Sequence, residues 1–325
     1  MRAIIYGIGR AFYDWAEQES FQSASSKEGI EIAGFVDGNP ALHGKKLMWQ
    51  GKEFEVTGIE SFARDAFDKI VITPVLFFDE IKRELIEKGY PASQLLSVVE
   101  FVNDCLFTNV EVEGKRGVEI GGPSDLFQRL YSRCRSCDGV NFSPSTVWWN
   151  DDKEGYRYRN LKLGNTLIAD ATDLGQIASG EYEFLLSSNV LEHIANPLKA
   201  LKEFSRVLVR GGTVLIVVPR KEKTFDHNRD CVTFEHLLED FQRDIGEEDL
   251  THLPEIIEKH DYDLDPLCGG RENFIKRSQK NMENRCLHHH VFDELSLRKA
   301  LEFAGFEVID FGFYGANWYI VGKTR

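Results

Sequence analysis

Twice in this chain a short strand-like run ends in a glycine turn and a helical stretch follows. The first run is Ala3-Ile4-Ile5-Tyr6 before Gly7-Ile8-Gly9, and the second is Val118-Glu119-Ile120 before Gly121-Gly122. Runs this short suit buried strands better than buried helices. A strand passing directly into a helix is the opening of a β-α unit, whose next strand pairs parallel after the crossover. Two such openings more than a hundred positions apart imply two sheets, each covered by helices.

The spacing fills in both units. In the first, a helix over roughly 11–20 leads to a strand at 30–36 that ends at Asp37. A third strand at 69–73 is stopped by Pro74, a helix at 80–88 is closed by Gly89, and a further strand is expected at 95–99. This predicts a small Rossmann-like domain over residues 1–103, with 101–115 reading as a connector. In the second unit, 104–325, strands are expected at 117–120, 139–142, 166–169, 182–187 and 213–218. Pro197 opens a helix over Leu198–Leu208 that Gly211-Gly212 ends. A last helix, Leu295–Ala304, is closed by Gly305, and two strands follow at 306–311 and 318–321. The fold class is α/β, with two Rossmann-like domains. Residues of about 220–290 break the rhythm and form an acidic, histidine-rich insert with helical pieces at Glu235–Asp240 and Glu247–Leu253.

Charge narrows the partners. Lys and Arg number 39 against 53 Asp and Glu, a net charge of −14. Phosphate backbones need a basic stripe, so nucleic acid is excluded as a partner. Residues 235–265 hold twelve acidic side chains against Arg243 and Lys259, and so carry −10 of the −14. Such a run reads as a solvated face, a lid or the surface of a homodimer. No run approaches the roughly 20 apolar residues of a membrane span, and the first residues lack a signal-peptide core, so a cytoplasmic chain is expected. Cys134 and Cys137 form a CxxC without a second ligand pair, which reads as two reduced thiols rather than a zinc site.

The second unit resembles the class I S-adenosylmethionine-dependent methyltransferases, the type 11 branch in particular, over about 114–325. VEIGGPS is similar to that family's nucleotide loop, and SSNVLEHIANPLKALKEFSRVLVRGGTVLIVVP to its most distinctive stretch. The resemblance implies S-adenosylmethionine as cofactor. It implies that Glu119, Gly121 and Gly122, with Pro123, hold its methionine part, and that Asp170 faces the adenine amino group with Ala171 beside the ring. Ser188 and Asn189 would lie beneath the sulfonium. The family's ribose-binding carboxylate is replaced by Asn141, whose amide can accept one hydrogen bond and donate another without charge assistance. The resemblance also implies a C-terminal strand inserted antiparallel.

Seven of the nine histidines lie in 227–290. Thr224-Phe225-Asp226-His227-Asn228-Arg229 follows the fifth strand, and His288-His289-His290 precedes the last core helix, so both are expected at the crevice of the sheet. Methylating a hydroxyl calls for a base, and histidine is poised near neutral pH. His227, His288, His289 and His290 are the candidate bases, with Asp226, Arg229 and His193 as substrate residues. A divalent metal held by His and Asp is a second use of the cluster, but no ligand spacing fixes it. Glu192-His193 reads as a structural pair, because the related metal pattern is broken at Asn189.

In the first unit, Gly7-x-Gly9 lacks a third glycine, since position 12 is Phe12. Catalysis with NAD is not expected there. The stretch from Gly34 to Lys45 resembles N-terminal domains of glycan-modifying enzymes, which implies either a nucleotide-sugar site or a purely structural role. The function expected from the whole is O-methylation of a sugar hydroxyl on a nucleotide-sugar or surface-glycan precursor in polysaccharide biosynthesis. The alternative is a non-catalytic scaffold of the same fold.

Overall fold

A computed structural model describes residues 1–27, 29–150 and 154–325. The chain divides into two units, Met1–Thr108 and Asn109–Arg325.

The first unit has a four-stranded parallel sheet of β1 (Arg2–Tyr6), β2 (Glu31–Val36), β5 (Lys69–Ile72) and β6 (Leu95–Ser97), in the order β2-β1-β5-β6. A hairpin of β3 (Lys46–Trp49) and β4 (Lys52–Glu55), which the strand periodicity did not announce, is added between β2 and β5. Two expectations are corrected at its end. The last strand stops at Ser97, and Val98–Leu106 is a helix rather than the continuation of a strand into a connector. The cause is a capping box: Ser97 Oγ accepts from the Glu100 amide, and the Glu100 carboxylate accepts from the Ser97 amide. Two otherwise orphaned donors are satisfied reciprocally, which outweighs the β preference of Val98-Val99.

The second unit is a seven-stranded sheet. Its strands are β7 (Arg116–Ile120), β8 (Ser136–Asn141), β11 (Thr166–Ile168), β12 (Tyr182–Ser188), β13 (Leu208–Pro219), β14 (Phe306–Tyr314) and β15 (Asn317–Thr324). A separate hairpin comprises β9 (Tyr156–Tyr158) and β10 (Leu161–Gly164). The order is β11-β8-β7-β12-β13-β15-β14, with β15 antiparallel between β13 and β14. From β7 the chain moves outward through β8 to β11, then returns to the other side of β7 as β12. That reversal opens a crevice at the C-terminal ends of β7 and β12, where open α/β sheets bind ligands.

The helix before β13 shows why the core sits where it does. Asn196 caps it by accepting from the Lys199 amide, and Pro197 occupies the first turn, where its missing N–H costs nothing. Leu198, Leu201, Phe204 and Val207 are buried at helical spacing, each contributing about 1.5–3 kcal/mol. The helix ends at Val207, not at the glycine pair as expected. Leu208 is already extended, and Gly211-Gly212 lies in an irregularity of β13, between the residues paired with Tyr182 and Phe184.

The insert has its own small core of Leu253, Ile256, Cys268, Phe274 and Leu287. Its helices include Phe234–Gln242, Leu253–Lys259 and Arg271–Ser278. The helical piece expected at Glu247–Leu253 begins only at Leu253, where Pro254 sits in the first turn. No helix among the described residues is long and apolar enough to cross a membrane.

Candidate functional site

The loop after β7 is built around one carboxylate. Glu119 is wholly buried, and its oxygens accept from Tyr131 Oη at 2.6 Å, Tyr156 Oη at 2.7 Å and the Ser124 amide at 3.1 Å. Burial pushes Glu119 up to about 7, against the opposing effect of those three hydrogen bonds. The packing leaves no room above it: a Cβ on Gly122 would lie 2.1 Å from the Glu119 carboxyl and 2.3 Å from Tyr156 Oη. Gly121 has φ of +79°, and a Cβ there would meet Val190 Cγ2 at 2.3 Å. Both glycines are required by close approach. Glu119 therefore braces the loop from beneath instead of facing a ligand.

The loop forms one wall of a cleft of about 370 Å³ at the switch point. That volume lies at the lower end of the range for small-ligand sites, about 300–1,000 Å³. Gly121, Gly122, Pro123, Asn141, Asp170, Ala171, Ser188, Asn189 and His193 all line it. They meet because each follows the C-terminal end of a strand. Asn141 closes β8, Asp170 follows β11, and Ser188 closes β12.

Polar groups in the cleft are largely committed. Asn141 Nδ2 donates to the Gly122 carbonyl at 3.2 Å, while its Oδ1 is buried and has no hydrogen-bond partner among the described residues. The amide expected both to accept and to donate is thus left as an acceptor. Asp170 Oδ1 accepts from the Thr172 amide and hydroxyl, and Oδ2 accepts from Arg285 Nη2 at 2.8 Å. Burial works to raise Asp170, but Thr172 and Arg285 together hold it below its ordinary value.

Among the wall residues that sequence reasoning missed as site members, four are aromatic or charged: Phe142, Trp148, Glu247 and Arg285. Arg285 joins Asp170 to Glu247, with Nη1 at 2.9 Å from Glu247 Oε1, and its guanidinium sits 5.3 Å from the Phe142 ring centre. Glu247 Oε1 also accepts from the Ala195 amide at 2.9 Å. Trp148 is 46% exposed and stacks on His193 at 6.5 Å between ring centres. In sequence, Glu247 is hidden inside the acidic run, and no motif marks Arg285.

None of the four candidate bases lines this cleft. His227 Nε2 lies 2.8 Å from Asp261 Oδ2, away from the wall residues. His289 is buried against Asn281 and Glu247, and His290 against Ala195 and Asp240. His288 Nδ1 is 2.6 Å from Asp226 Oδ2. Burial alone would lower His288, but the Asp226 charge raises it. Asp226 in turn is drawn down to about 2 by His288 and Arg229, in spite of its burial. Asp226 and Arg229, expected to meet substrate, are each 3% exposed. Arg229 donates to Asp226 and to the carbonyls of His288 and His289, so the pair pins the histidine strap to the loop after β13.

His193 is the histidine on the cleft wall. Its Nδ1 is 3.2 Å from the Leu287 carbonyl, which can only accept, so Nδ1 carries the proton and Nε2 the lone pair. Burial first, and the nearby His288 charge second, push its pKa well below the ordinary value. Behind it, Glu192 is buried with neither carboxylate oxygen hydrogen-bonded among the described residues, and burial pushes it up to about 7. Glu192, His193 and His288 each bring a ligand atom within 4.8 Å of the others. In the first unit, Asp37, at the position a ribose contact would need, spends its oxygens on the amides of Ile8 and Asn39.

The sequence profile of the methyltransferase domain family matches residues 94–310. The chain is similar in fold to an S-adenosylmethionine-dependent methyltransferase of Aquifex aeolicus, at 14% identity and a TM-score of 0.41 over 69% of this chain and 89% of that one. A similar protein of Methanosarcina mazei gives 14% and 0.40, over 67% of this chain and 96% of that one. One of Mesorhizobium loti gives 13% and 0.40, over 66% and 92%. No curated protein matches.

Proposed function

The chain belongs to the methyltransferase domain family, and from that premise we propose that it transfers a methyl group from S-adenosylmethionine to a hydroxyl of a sugar-like acceptor. A nucleotide-linked or surface-glycan precursor is the acceptor class, and the type 11 branch is the placement its SSNVLEHI stretch supports. The cleft suits the cofactor. Gly121 and Gly122 line it, and the orphaned Asn141 Oδ1 is an acceptor waiting for a hydroxyl such as that of a ribose. Asp170 Oδ2 keeps acceptor capacity for an adenine amino group, and Ala171 is small enough to leave the ring its place. When bound, S-adenosylmethionine supplies an electrophilic methyl carbon on a sulfonium.

The chain's own part is positioning and proton transfer. His193 carries the reading: a neutral imidazole on the cleft wall, next to the Asn189 turn, with its proton fixed on Nδ1. Its Nε2 takes the proton of the acceptor hydroxyl as the oxygen attacks, a role worth typically 10²–10⁴-fold in rate. Trp148, half exposed beside it, offers an apolar face to the C–H face of a sugar ring. The rest of the rate comes from holding oxygen and methyl carbon in line.

Calorimetric titration of the whole chain with S-adenosylmethionine and S-adenosylhomocysteine tests the first step, followed by a mass-spectrometric screen of sugar nucleotides for a gain of one methyl group. Micromolar binding that is lost in Asp170→Ala supports the enzyme. A folded chain that binds neither ligand overturns it and leaves the scaffold reading, which Asn141 in place of a carboxylate would then explain.

A further inference from the structure

A second constellation lies in the insert, away from the cleft walls. His236 and Asp240 are one helical turn apart on the helix Phe234–Gln242, so their side chains share a face. His252 caps the next helix, and His290 ends the histidine strap. These four residues bring one ligand atom each within 4.8 Å of one another.

The separations are informative. His236 Nε2 is 3.1 Å from His252 Nε2 and 3.3 Å from Asp240 Oδ2, and His290 Nε2 is 3.6 Å from Asp240 Oδ2. A tetrahedron has edges 1.63 times its centre-to-vertex distance. Zinc bonds to imidazole nitrogen and carboxylate oxygen of about 2.0–2.1 Å therefore demand edges of about 3.3–3.4 Å. One measured edge, 3.3 Å, falls on that value, and the other two, 3.1 and 3.6 Å, lie on either side of it. A second observation stands apart from the spacing. Asp240 is 5% exposed, and its Oδ2 has no hydrogen-bond partner among the described residues, although it faces this group of rings. An acceptor in that position is costly unless something satisfies it.

We infer that His236, Asp240, His252 and His290 form a tetrahedral site for a divalent transition metal of the zinc class. Three neutral imidazoles and one carboxylate suit zinc, which takes nitrogen and oxygen ligands without a geometric demand of its own. Four protein ligands leave no open position, so the site is structural and not catalytic. His290 gives up its 3.2 Å contact with the Ala195 carbonyl to coordinate through Nε2. His236, whose side chain is about one-third exposed, gives the ion its way in. The consequence is mechanical. The metal ties together the two segments that flank Glu247, and Glu247 holds Arg285 toward Asp170 in the cleft.

The test uses the full chain, stripped with chelator and then given zinc alone. The site predicts one zinc per chain after desalting, a rise in melting temperature with the first equivalent, and visible absorption of tetrahedral intensity when cobalt(II) replaces zinc. In His236→Ala and in Asp240→Asn, zinc affinity falls roughly 100-fold or more, since even outer-shell changes cost 10–100-fold. His236 is partly exposed, so its variant is expected to fold, and its circular dichroism is checked against the parent. A parent chain that retains no zinc and shows no thermal shift overturns the site. Retention that is unchanged in both variants overturns it equally, because the metal would then lie elsewhere.

Discussion

Arg285 Nη2 donates to Asp170 Oδ2 at 2.8 Å, so the end of the insert reaches the residue that closes the cleft on the β11 side. The same guanidinium contacts Glu247 at 2.9 Å. One cation thus holds two carboxylates from distant parts of the chain, both less than one-third exposed. The insert is not an appendage to the site but forms part of its wall.

Replacing Arg285 with alanine leaves Asp170 and Glu247 without their shared counter-charge. Breaking a buried pair costs about 3–5 kcal/mol, and partial exposure of Asp170 brings the expected loss to about 2–3 kcal/mol. Urea unfolding measures it. Titration with S-adenosylhomocysteine should show binding weaker by about tenfold, the equivalent of 1.4 kcal/mol. Parent-like binding in this variant would show that Arg285 does not shape the cleft.

Glu119 sets a pH dependence with a definite sign. Burial raises its folded value to about 7, against an ordinary glutamate value of 4.5. Between those values the folded state binds the proton that the unfolded chain has released. Stability from this group is therefore full below about pH 4.5 and lost as pH rises through 7, a span worth about 3 kcal/mol. Denaturation midpoints at pH 5.5 and pH 8 in the parent and in Glu119→Gln give the measurement. The decline with pH should be smaller in the variant, and an equal decline would place its cause in other groups.

Strand ends were legible in the sequence because a buried parallel strand must be an apolar run and must stop at a turn. That logic located Gly121, Asn141, Asp170 and Ser188, and all of these line one cleft. It failed where short-range hydrogen bonds outbid propensity, as when Ser97 and Glu100 turn Val98 onward into helix. It failed again where function depends on contacts between distant segments. Asp226 and Arg229 look like crevice residues because they follow β13, yet they are consumed in holding His288 and His289. Nothing local marks Glu247 among its acidic neighbours as the one that turns inward. Glu119 read as a strand-end residue that would hold the cofactor's methionine part, and not as the brace of the loop, since Tyr131 and Tyr156 arrive from later elements.

His193 separates proton transfer from binding. His193→Ala should lower kcat by about 10²–10⁴-fold on the acceptor found by screening, with S-adenosylhomocysteine affinity within about twofold of the parent. The folded pKa lies well below the ordinary histidine value, so the ring is already neutral at pH 7. The rate in the parent should accordingly stay level from pH 8 down to 6.5 instead of falling as an ordinary histidine base would. A variant that keeps kcat removes His193 from the chemistry and leaves positioning alone.

The glycine loop gives the sharpest steric test, because two adjacent glycines are required for different reasons. Gly121 has φ of +79° and also faces Val190, so alanine there pays both a backbone penalty and a clash. Gly122 has no positive φ, and alanine there meets only atoms: the Glu119 carboxyl at 2.1 Å and Tyr156 Oη at 2.3 Å. Relief of the clash must move Glu119 away from the Ser124 amide or push the loop into the cleft. Overpacking of this kind costs about 1–3 kcal/mol, and the displaced wall should weaken S-adenosylhomocysteine binding at least about tenfold. Gly211 supplies the control. Its φ is +75°, but a Cβ there meets nothing within 4 Å, so Gly211→Ala should cost about 1 kcal/mol and leave binding unchanged. Calorimetry and melting curves on the three variants distinguish the cases. Equal losses of stability with unchanged binding in all three would mean that the loop does not form the ligand wall.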